Sequence, residues 1–321
     1  MNYLSINDID SLSDWVKEAR DLKQNPLKYK ELGKDKTIGL LFFNSSLRTR
    51  LSTQKAALNL GMNTIVMNFS NEGWALEFED KVIMNRGKSE HVKEAAQVIS
   101  QYCDIIGIRA FASLVDRQED LAEEVLTNFQ KYASVPVVNM ESSIGHPLQA
   151  LADAITLEEN RPNDREGKIA NKPKIVLSWA PHPKALPHAV ANSFVQMMHL
   201  QNVDFVITHP KGYELDPSIT KKSKIEYDQE KAFKNADFVY VKNWSSFKDY
   251  GKVISQDRDW MICKEKMNLT NNGKFMHCLP VRRNVVVSDE VLDDDNSLVI
   301  EQANNRTFAA QIVLKKILEN N

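Results

Sequence analysis

Thr37-Ile38-Gly39-Leu40-Leu41-Phe42-Phe43 runs directly into Asn44-Ser45-Ser46-Leu47-Arg48-Thr49-Arg50. The first seven residues form a continuous apolar run of strand length, as a strand buried on both faces of a sheet requires. Asn44-Ser45-Ser46 suits a turn and a helix N-cap. From there to Leu60 the positions Leu47, Leu51, Ala57 and Leu58 make an apolar helical stripe that stops at Gly61, a residue suited to C′. The first turn of this helix therefore carries the hydroxyls of Ser46 and Thr49 and the guanidinium groups of Arg48 and Arg50. Free backbone N–H groups and the positive dipole end favour an anion there, and arginine forks match phosphate oxygens. A lone arginine at a helix start is usually a solvated charge. Two of them repel the dipole unless an anion compensates, so phosphate or carboxylate binding is expected.

The 321 residues suit two domains, since single cores seldom grow past ~250–300 residues. With 42% hydrophobic and 26% charged residues, the composition is that of a soluble globular protein. A net charge of −2, from 41 basic and 43 acidic residues, gives no footprint for nucleic acid. The Met1-Asn2-Tyr3-Leu4-Ser5 start lacks the pattern of a signal peptide, and no apolar run nears the ~18 residues of a membrane span. Cys103, Cys263 and Cys278 lack CxxC spacing, which argues for reduced thiols in the cytoplasm and against structural zinc. Neither GxGxxG nor GxxxxGK[ST] follows a strand. No metal or cofactor is expected.

Outward from the opening unit, strand-like and helical runs alternate. Strands are expected at 64–67, 105–109 and 135–138, with helices at 90–102 and 120–132, a parallel α/β pattern. A helix at 147–159 precedes the breaker-rich stretch Asn160-Arg161-Pro162-Asn163-Asp164, the best candidate boundary. A second alternation places strands at 174–179, 204–208, 237–241 and 275–278, with helices at 189–199 and 229–235. An amphipathic helix at 305–318 closes the chain. The expected fold class is α/β: two doubly wound parallel-sheet lobes joined by helices, a cleft between them, and the C-terminal helix packing back on the first lobe.

Ligands of open α/β sheets sit beyond the carboxyl ends of the strands. Those ends carry Ser46–Arg50, Arg109, and Glu141 with His146-Pro147-Leu148-Gln149. In the second half they carry His182-Pro183-Lys184, Lys242-Asn243-Trp244, and His277-Cys278-Leu279-Pro280 with Arg282-Arg283. Singly, each has a plain structural explanation: a His before Pro caps a loop, a Cys in an apolar strand is core, an Arg pair is solvated. Their recurrence at one topological position is what points to a site.

The Ser-x-Arg-Thr-Arg helix start, His146-Pro147-Leu148-Gln149 and His277-Cys278-Leu279-Pro280, in that order, resemble the carbamoyl-phosphate signature of the aspartate/ornithine carbamoyltransferase family. Glu301-Gln302-Ala303-Asn304-Asn305-Arg306 resembles that family's Glu-x-x-Asn-Arg segment, and the likeness spans nearly the whole chain. It implies a carbamoyl-phosphate-binding domain at 1–147, completed by a C-terminal helix at 304–321, and an acylated amino-acid-binding domain at 148–303. Ser46, Leu47, Arg48, Thr49 and Arg50 would hold the phosphate. Arg109, His146 and Thr49 would meet the carbonyl oxygen, and Gln149, Cys278, Leu279 and Arg306 would orient the carbamoyl NH₂. Cys278 would orient rather than attack, because the transfer needs no covalent enzyme intermediate. The family further implies a homotrimer whose sites are completed by a neighbour's loop, here the one containing Trp74 and Ser89.

The branch is also legible. Ornithine enzymes carry Asp-x-Trp and a Ser-Met-Gly loop for the α-ammonium group. Here Lys242-Asn243-Trp244 stands in that place and Ser-Met-Gly is missing, so an acylated, uncharged α-nitrogen fits better. Phe42-Phe43-Asn44-Ser45-Ser46-Leu47-Arg48-Thr49-Arg50 is similar to the opening of the N-acylornithine carbamoyltransferases. Within them, Val286 resembles the succinylornithine branch, where the acetylornithine branch has lysine. Ser89 stands where these branches carry proline and glutamate respectively; being small and neutral, it leaves room for a succinyl carboxylate. Lys242, His182 and Lys184 would bind the acyl carboxylate, with Glu141 toward the δ-amine. The expected reaction is carbamoyl transfer to N-succinyl-L-ornithine in arginine biosynthesis. The alternatives are an N-acetylornithine enzyme, an ornithine enzyme and a non-catalytic binding paralogue.

Overall fold

The computed structural model describes residues 1–162 and 172–320, so Asn163 and Asp164 of the expected linker lie outside the described residues. The chain forms two compact units, Met1–Leu151 with Arg306–Asn321, and Ala152–Asn305. Helices Pro147–Glu159 and Val299–Glu319 each run through a boundary between units.

In the first unit, β1 (Thr37–Phe42), β2 (Asn63–Asn68), β5 (Ile105–Arg109) and β6 (Val137–Glu141) make one parallel sheet in the order β2-β1-β5-β6. Between β2 and β5 lie the two-residue strands β3 (Leu76–Glu77) and β4 (Glu90–His91), which pair with each other. From β1 the chain goes to β2 on one side and then to β5 on the other, so the order reverses between β1 and β5. Such a switch point leaves a crevice at the strands' carboxyl ends. Register sets Phe42 beside Arg109 and Arg109 beside Glu141 there, with a local irregularity between Ile108 and Arg109.

Beneath that rim Leu41, Ile106, Ile108 and Phe129 are buried together. The C-terminal helix docks on this unit: Asn59 donates to Gln311 (2.9 Å), Gln311 donates to the Pro26 carbonyl (2.7 Å), and Lys315 pairs with Glu18 (3.0 Å).

The second unit is a parallel sheet of β7 (Lys174–Trp179), β8 (Asp204–Thr208), β9 (Lys224–Glu226), β10 (Phe238–Lys242) and β11 (Lys274–Met276), ordered β11-β10-β7-β8-β9. Its order reverses between β7 and β10, where Trp179 and Lys242 are register partners. A doubly wound α/β fold is therefore present in each unit.

Several local expectations change. The helix Arg48–Asn59 is capped by Leu47 rather than by the Asn-Ser-Ser turn. Its buried face is Thr49, Thr53, Ala56 and Ala57, whereas Leu47, Leu51 and Leu58 of the expected core stripe are exposed. Small residues let this helix lie close to the sheet, and the leucines point outward. The helix expected at 120–132 is two, Arg117–Ala122 and Glu124–Tyr132, broken where Glu123 takes a left-handed φ of 47°. Helix Leu12–Gln24, capped by Ser11, was not anticipated, nor was β9.

Candidate active site

Within the first unit the N-terminus of helix Arg48–Asn59 has no side-chain cap, so its first N–H groups stay available to a ligand. Arg109, buried to 6% exposure, projects from the end of β5. Its Nε donates to Glu141 Oε2 (3.2 Å), and its Nη1 donates to the carbonyls of Asn44 (3.1 Å) and Ser45 (2.6 Å). The guanidinium also stacks on Phe111 at 3.9 Å. Three anchors fix the plane of the group, which aims its remaining edge. Burial draws the Arg109 pKa down; Glu141 opposes this and the nearby Arg48 adds to it. Two guanidinium groups close enough to repel call for an anion between or beside them. Arg48 Nε, buried and without a hydrogen bond among the described residues, is consistent with that.

His146 Nε2 lies 3.5 Å from the same Glu141 oxygen, so Glu141 braces both Arg109 and His146. A second brace comes from the C-terminal helix. Arg306 Nη2 donates to Thr49 Oγ1 (2.6 Å), and its Nη1 donates to Gln149 Oε1. Because Thr49 Oγ1 accepts from Arg306, its own O–H is left to donate outward. Thr49, Arg109, His146, Gln149 and Arg306 are all at most 6% exposed. Arg50 is turned differently: it lies near Glu72, whose carboxyl is held low first by Asn68 and further by Arg50. Ser46 and Leu47 precede the helix start, Ser46 half-buried and Leu47 exposed.

Trp74 and Ser89 sit on the loop that carries β3 and β4. Trp74 is 58% exposed and donates through Nε1 to Glu90 (2.8 Å), while the Ser89 amide donates to the Ala75 carbonyl (3.1 Å). Glu77 ties the loop down, accepting from Lys88 (2.9 Å) and from the amides of Phe78 (2.9 Å) and Glu79 (3.1 Å). These bonds, Lys88's above all, hold its carboxyl at about 2. An exposed tryptophan on an anchored loop is a surface feature without a core role in this chain.

In the second unit the switch point gathers cations. His182 follows β7, Lys242 ends β10, and Arg282 follows β11. Arg282 Nε donates to His182 Nε2 (3.0 Å), and His182 Nδ1 lies 2.9 Å from the Lys184 carbonyl and 3.1 Å from the Lys184 amide. Burial lowers the His182 pKa most. The Lys184 carbonyl opposes this, and Arg282, Lys242 and Lys184 each lower it further. His182 thus lies among three cations, a place for carboxylates.

The sequence set Arg282-Arg283 together at the strand ends without a role for either. Both arginines are exposed, but Arg282 is bonded to His182 whereas Arg283 is bonded to Asp289 (2.9 Å) and Asp293 (2.7 Å). Val286, by contrast, is 2% exposed among Ile262, Val287 and Val291, a core residue.

The turn His277-Cys278-Leu279 ends β11. Leu279 has a φ of 55°, a conformation branched and bulky residues avoid, and its amide donates to His277 Nδ1 (2.9 Å). Cys278 is buried at 6% exposure, which suits a backbone-presenting position more than a nucleophile. Among the described residues, no group of three His, Cys, Asp or Glu is placed to hold a metal, and no helix is long and apolar enough to cross a membrane.

Of the two parallel-sheet units, one carries an arginine-rich helix start and the other a cationic strand rim, both suited to anionic ligands. Residues 1–159 match the family model for the aspartate/ornithine carbamoyltransferase carbamoyl-P binding domain, and residues 187–317 match its Asp/Orn binding domain. The chain belongs to the aspartate/ornithine carbamoyltransferase family. It is 49% identical over 319 residues to the N-succinylornithine carbamoyltransferase of Bacteroides thetaiotaomicron, covering 99% of this chain and 98% of that one. It is 36% identical to the N-acetylornithine carbamoyltransferase of Xanthomonas axonopodis pv. citri, covering 97% and 96%. A crystal structure of a mutant N-acetyl-L-ornithine transcarbamylase complexed with carbamyl phosphate and N-succinyl-L-norvaline superposes with a TM-score of 0.91, at 34% identity over 99% of both chains.

Proposed function

We propose that this enzyme moves the carbamoyl group of carbamoyl phosphate onto the δ-amine of N-succinyl-L-ornithine, giving N-succinyl-L-citrulline and phosphate in arginine biosynthesis. The observation that carries the acyl choice is the group of three cations around His182. With its δ-amine neutral, N-succinylornithine presents two carboxylates, whereas N-acetylornithine presents one. The 49% identity to a succinylornithine enzyme supports the same choice.

The phosphate is held by Ser46, Leu47, Arg48, Thr49 and Arg50 through hydroxyl, guanidinium and backbone N–H donors. The δ-amine attacks the carbamoyl carbon, forming the C–N bond. Negative charge then gathers on the carbonyl oxygen, which Arg109, His146 and the outward Thr49 hydroxyl stabilise. One such donor is typically worth ~10²–10³ in rate. Gln149, Arg306 and the backbone at Cys278 and Leu279 orient the NH₂ group. The C–O bond to phosphate breaks, and phosphate leaves with the amine's proton. Glu141 serves the δ-amine side while bracing Arg109. Lys242, Lys184, His182 and Arg282 hold the two carboxylates.

The working assembly is a homotrimer in the cytoplasm, the location that suits three free thiols. Leu47, Leu51 and Leu58 on one helix and Ile65 on edge strand β2 are 46–66% exposed, an apolar face that a second copy of the chain would cover. Trp74 and Ser89 would then reach a neighbour's site. Mixing inactive Trp74→Ala and Arg109→Ala proteins under subunit exchange is expected to restore part of the activity. No recovery despite proven exchange contradicts shared sites.

Lys242→Ala tests the acyl assignment. A hydrogen bond to a charged group is worth ~1.5–3 kcal/mol, so kcat/KM for N-succinylornithine should fall by ~10–100-fold. N-acetylornithine, with no acyl charge to lose, should change little. Equal losses on both put Lys242 on the shared α-carboxylate instead. Ser89→Glu should shift preference toward N-acetylornithine by setting a like charge near the succinyl carboxylate; unchanged preference in competition assays removes Ser89 from the site.

A further inference from the structure

Three buried side chains of the second unit stand behind the His277-Cys278-Leu279 turn, and none belongs to the ligand-binding set above. Asp153, on helix Pro147–Glu159, is fully buried; so is Gln302, on the C-terminal helix. Gln302 Nε2 donates to Asp153 Oδ1 at 2.7 Å. That bond fixes which way the Gln302 amide faces. Its Oε1 is thereby presented to the backbone just past β11, where it accepts from the His277 amide at 3.0 Å. His277 Nδ1 in turn accepts from the Leu279 amide at 2.9 Å. A chain of three hydrogen bonds thus runs from a buried carboxylate to the residue held at a left-handed φ of 55°. The hydroxyl of Tyr240, wholly buried, lies beside Asp153 and Cys278. Burial first, and these neighbours next, raise its pKa so that it keeps its proton next to the carboxylate.

Such an arrangement is costly if its only purpose is packing. A carboxylate at zero exposure is expensive to bury, and apolar side chains of the same volume would fill the space at less cost. What the polar chain supplies that apolar packing cannot is direction. With the His277 and Leu279 amides both engaged, the two peptide planes they belong to are held, and the second of these carries the Cys278 carbonyl.

We infer that Asp153 and Gln302 are positioning residues: through the Asp153–Gln302–His277 hydrogen bonds and the His277–Leu279 bond that follows they aim the Cys278 carbonyl at the NH₂ group of carbamoyl phosphate. The inference rests on the reading that this turn orients the carbamoyl group. It makes the two helices that cross between the units part of the recognition of the carbamoyl end of the substrate and leaves the phosphate end untouched.

The test separates those two ends. Carbamoyl phosphate and inorganic phosphate are titrated calorimetrically into the unmodified enzyme, Gln302→Met and Asp153→Asn. The unmodified enzyme should bind carbamoyl phosphate more tightly than phosphate; if it does not, the underlying reading of the turn fails, whatever the variants do. Given that preference, Gln302→Met should weaken carbamoyl phosphate about tenfold or more and leave phosphate within twofold. Asp153→Asn, whose amide oxygen can still accept from Gln302 Nε2, should retain the preference. Loss of both ligands alike in Gln302→Met marks a merely structural role and overturns the proposal, as does an unchanged preference. Should Gln302→Met fail to fold, Asp153→Ser, which removes the carboxylate that orients Gln302, is read by the same two titrations and the same criteria.

Discussion

Arg109→Ala should bring carbamoyl transfer close to a halt, with kcat/KM lowered ~10³-fold or more, while the far-ultraviolet circular dichroism stays that of the folded protein. The size follows from the two demands on one side chain. Arg109 faces the charge that develops on the carbonyl oxygen, where a single oriented donor is worth ~10²–10³. It also adds positive potential to the phosphate-binding helix start beside Arg48. Losing it leaves Glu141 with His146 at 3.5 Å and relieves the repulsion with Arg48, but Glu141 and the Asn44 and Ser45 carbonyls lose their donor, so the urea midpoint should fall as well. Steady-state kinetics checks this, and near-normal turnover would remove Arg109 from the reaction.

Arg306→Leu should be the second severe variant, and here stability suffers as well. Arg306 is 5% exposed and donates to both Thr49 and Gln149. Leucine leaves two buried acceptors without that donor, at ~1–3 kcal/mol each, so a clear fall in the urea midpoint is expected. Thr49 loses the bond that turns its hydroxyl outward and Gln149 loses its orientation, so kcat should drop ~10²-fold or more on the same oxyanion argument. Arg306→Lys should rescue poorly, because one ammonium cannot reproduce a planar fork with two diverging donors. Full activity in Arg306→Lys would show that charge alone is needed there.

The parts of the site that could be read from sequence are those fixed by topology. In a parallel sheet the chain must leave each strand at the same edge, so Arg109, Glu141, His182, Lys242 and His277 could be assigned to ligand-facing rims once the strands were found. Long apolar strands such as Thr37–Phe42 and Lys174–Trp179 announce themselves.

What was hidden depends on tertiary pairing. Nothing in the local sequence distinguishes Arg282, bonded to His182 from 100 positions away, from Arg283, bonded to surface aspartates. Likewise, the bridge from Arg306 to Thr49 joins residues 257 positions apart. The helix Arg48–Asn59 misled for a different reason. Its leucines are the strongest apolar signal, yet they face outward while threonines and alanines face the sheet. Apolar periodicity reports which face is covered, and does not say whether its own chain covers it. The break at Glu123 has no glycine to mark it, and short β9 carries too few residues for a pattern.

The most direct test of the central claim is a side-by-side measurement of kcat/KM with carbamoyl phosphate and three amines: N-succinyl-L-ornithine, N-acetyl-L-ornithine and L-ornithine. If the cations around His182 hold a second carboxylate, N-succinyl-L-ornithine should lead N-acetyl-L-ornithine by ~10–100-fold, the value of one charged hydrogen bond of ~1.5–3 kcal/mol. L-ornithine, whose α-ammonium would meet Lys242, should be turned over least. Equal or faster carbamoylation of N-acetyl-L-ornithine would contradict the account.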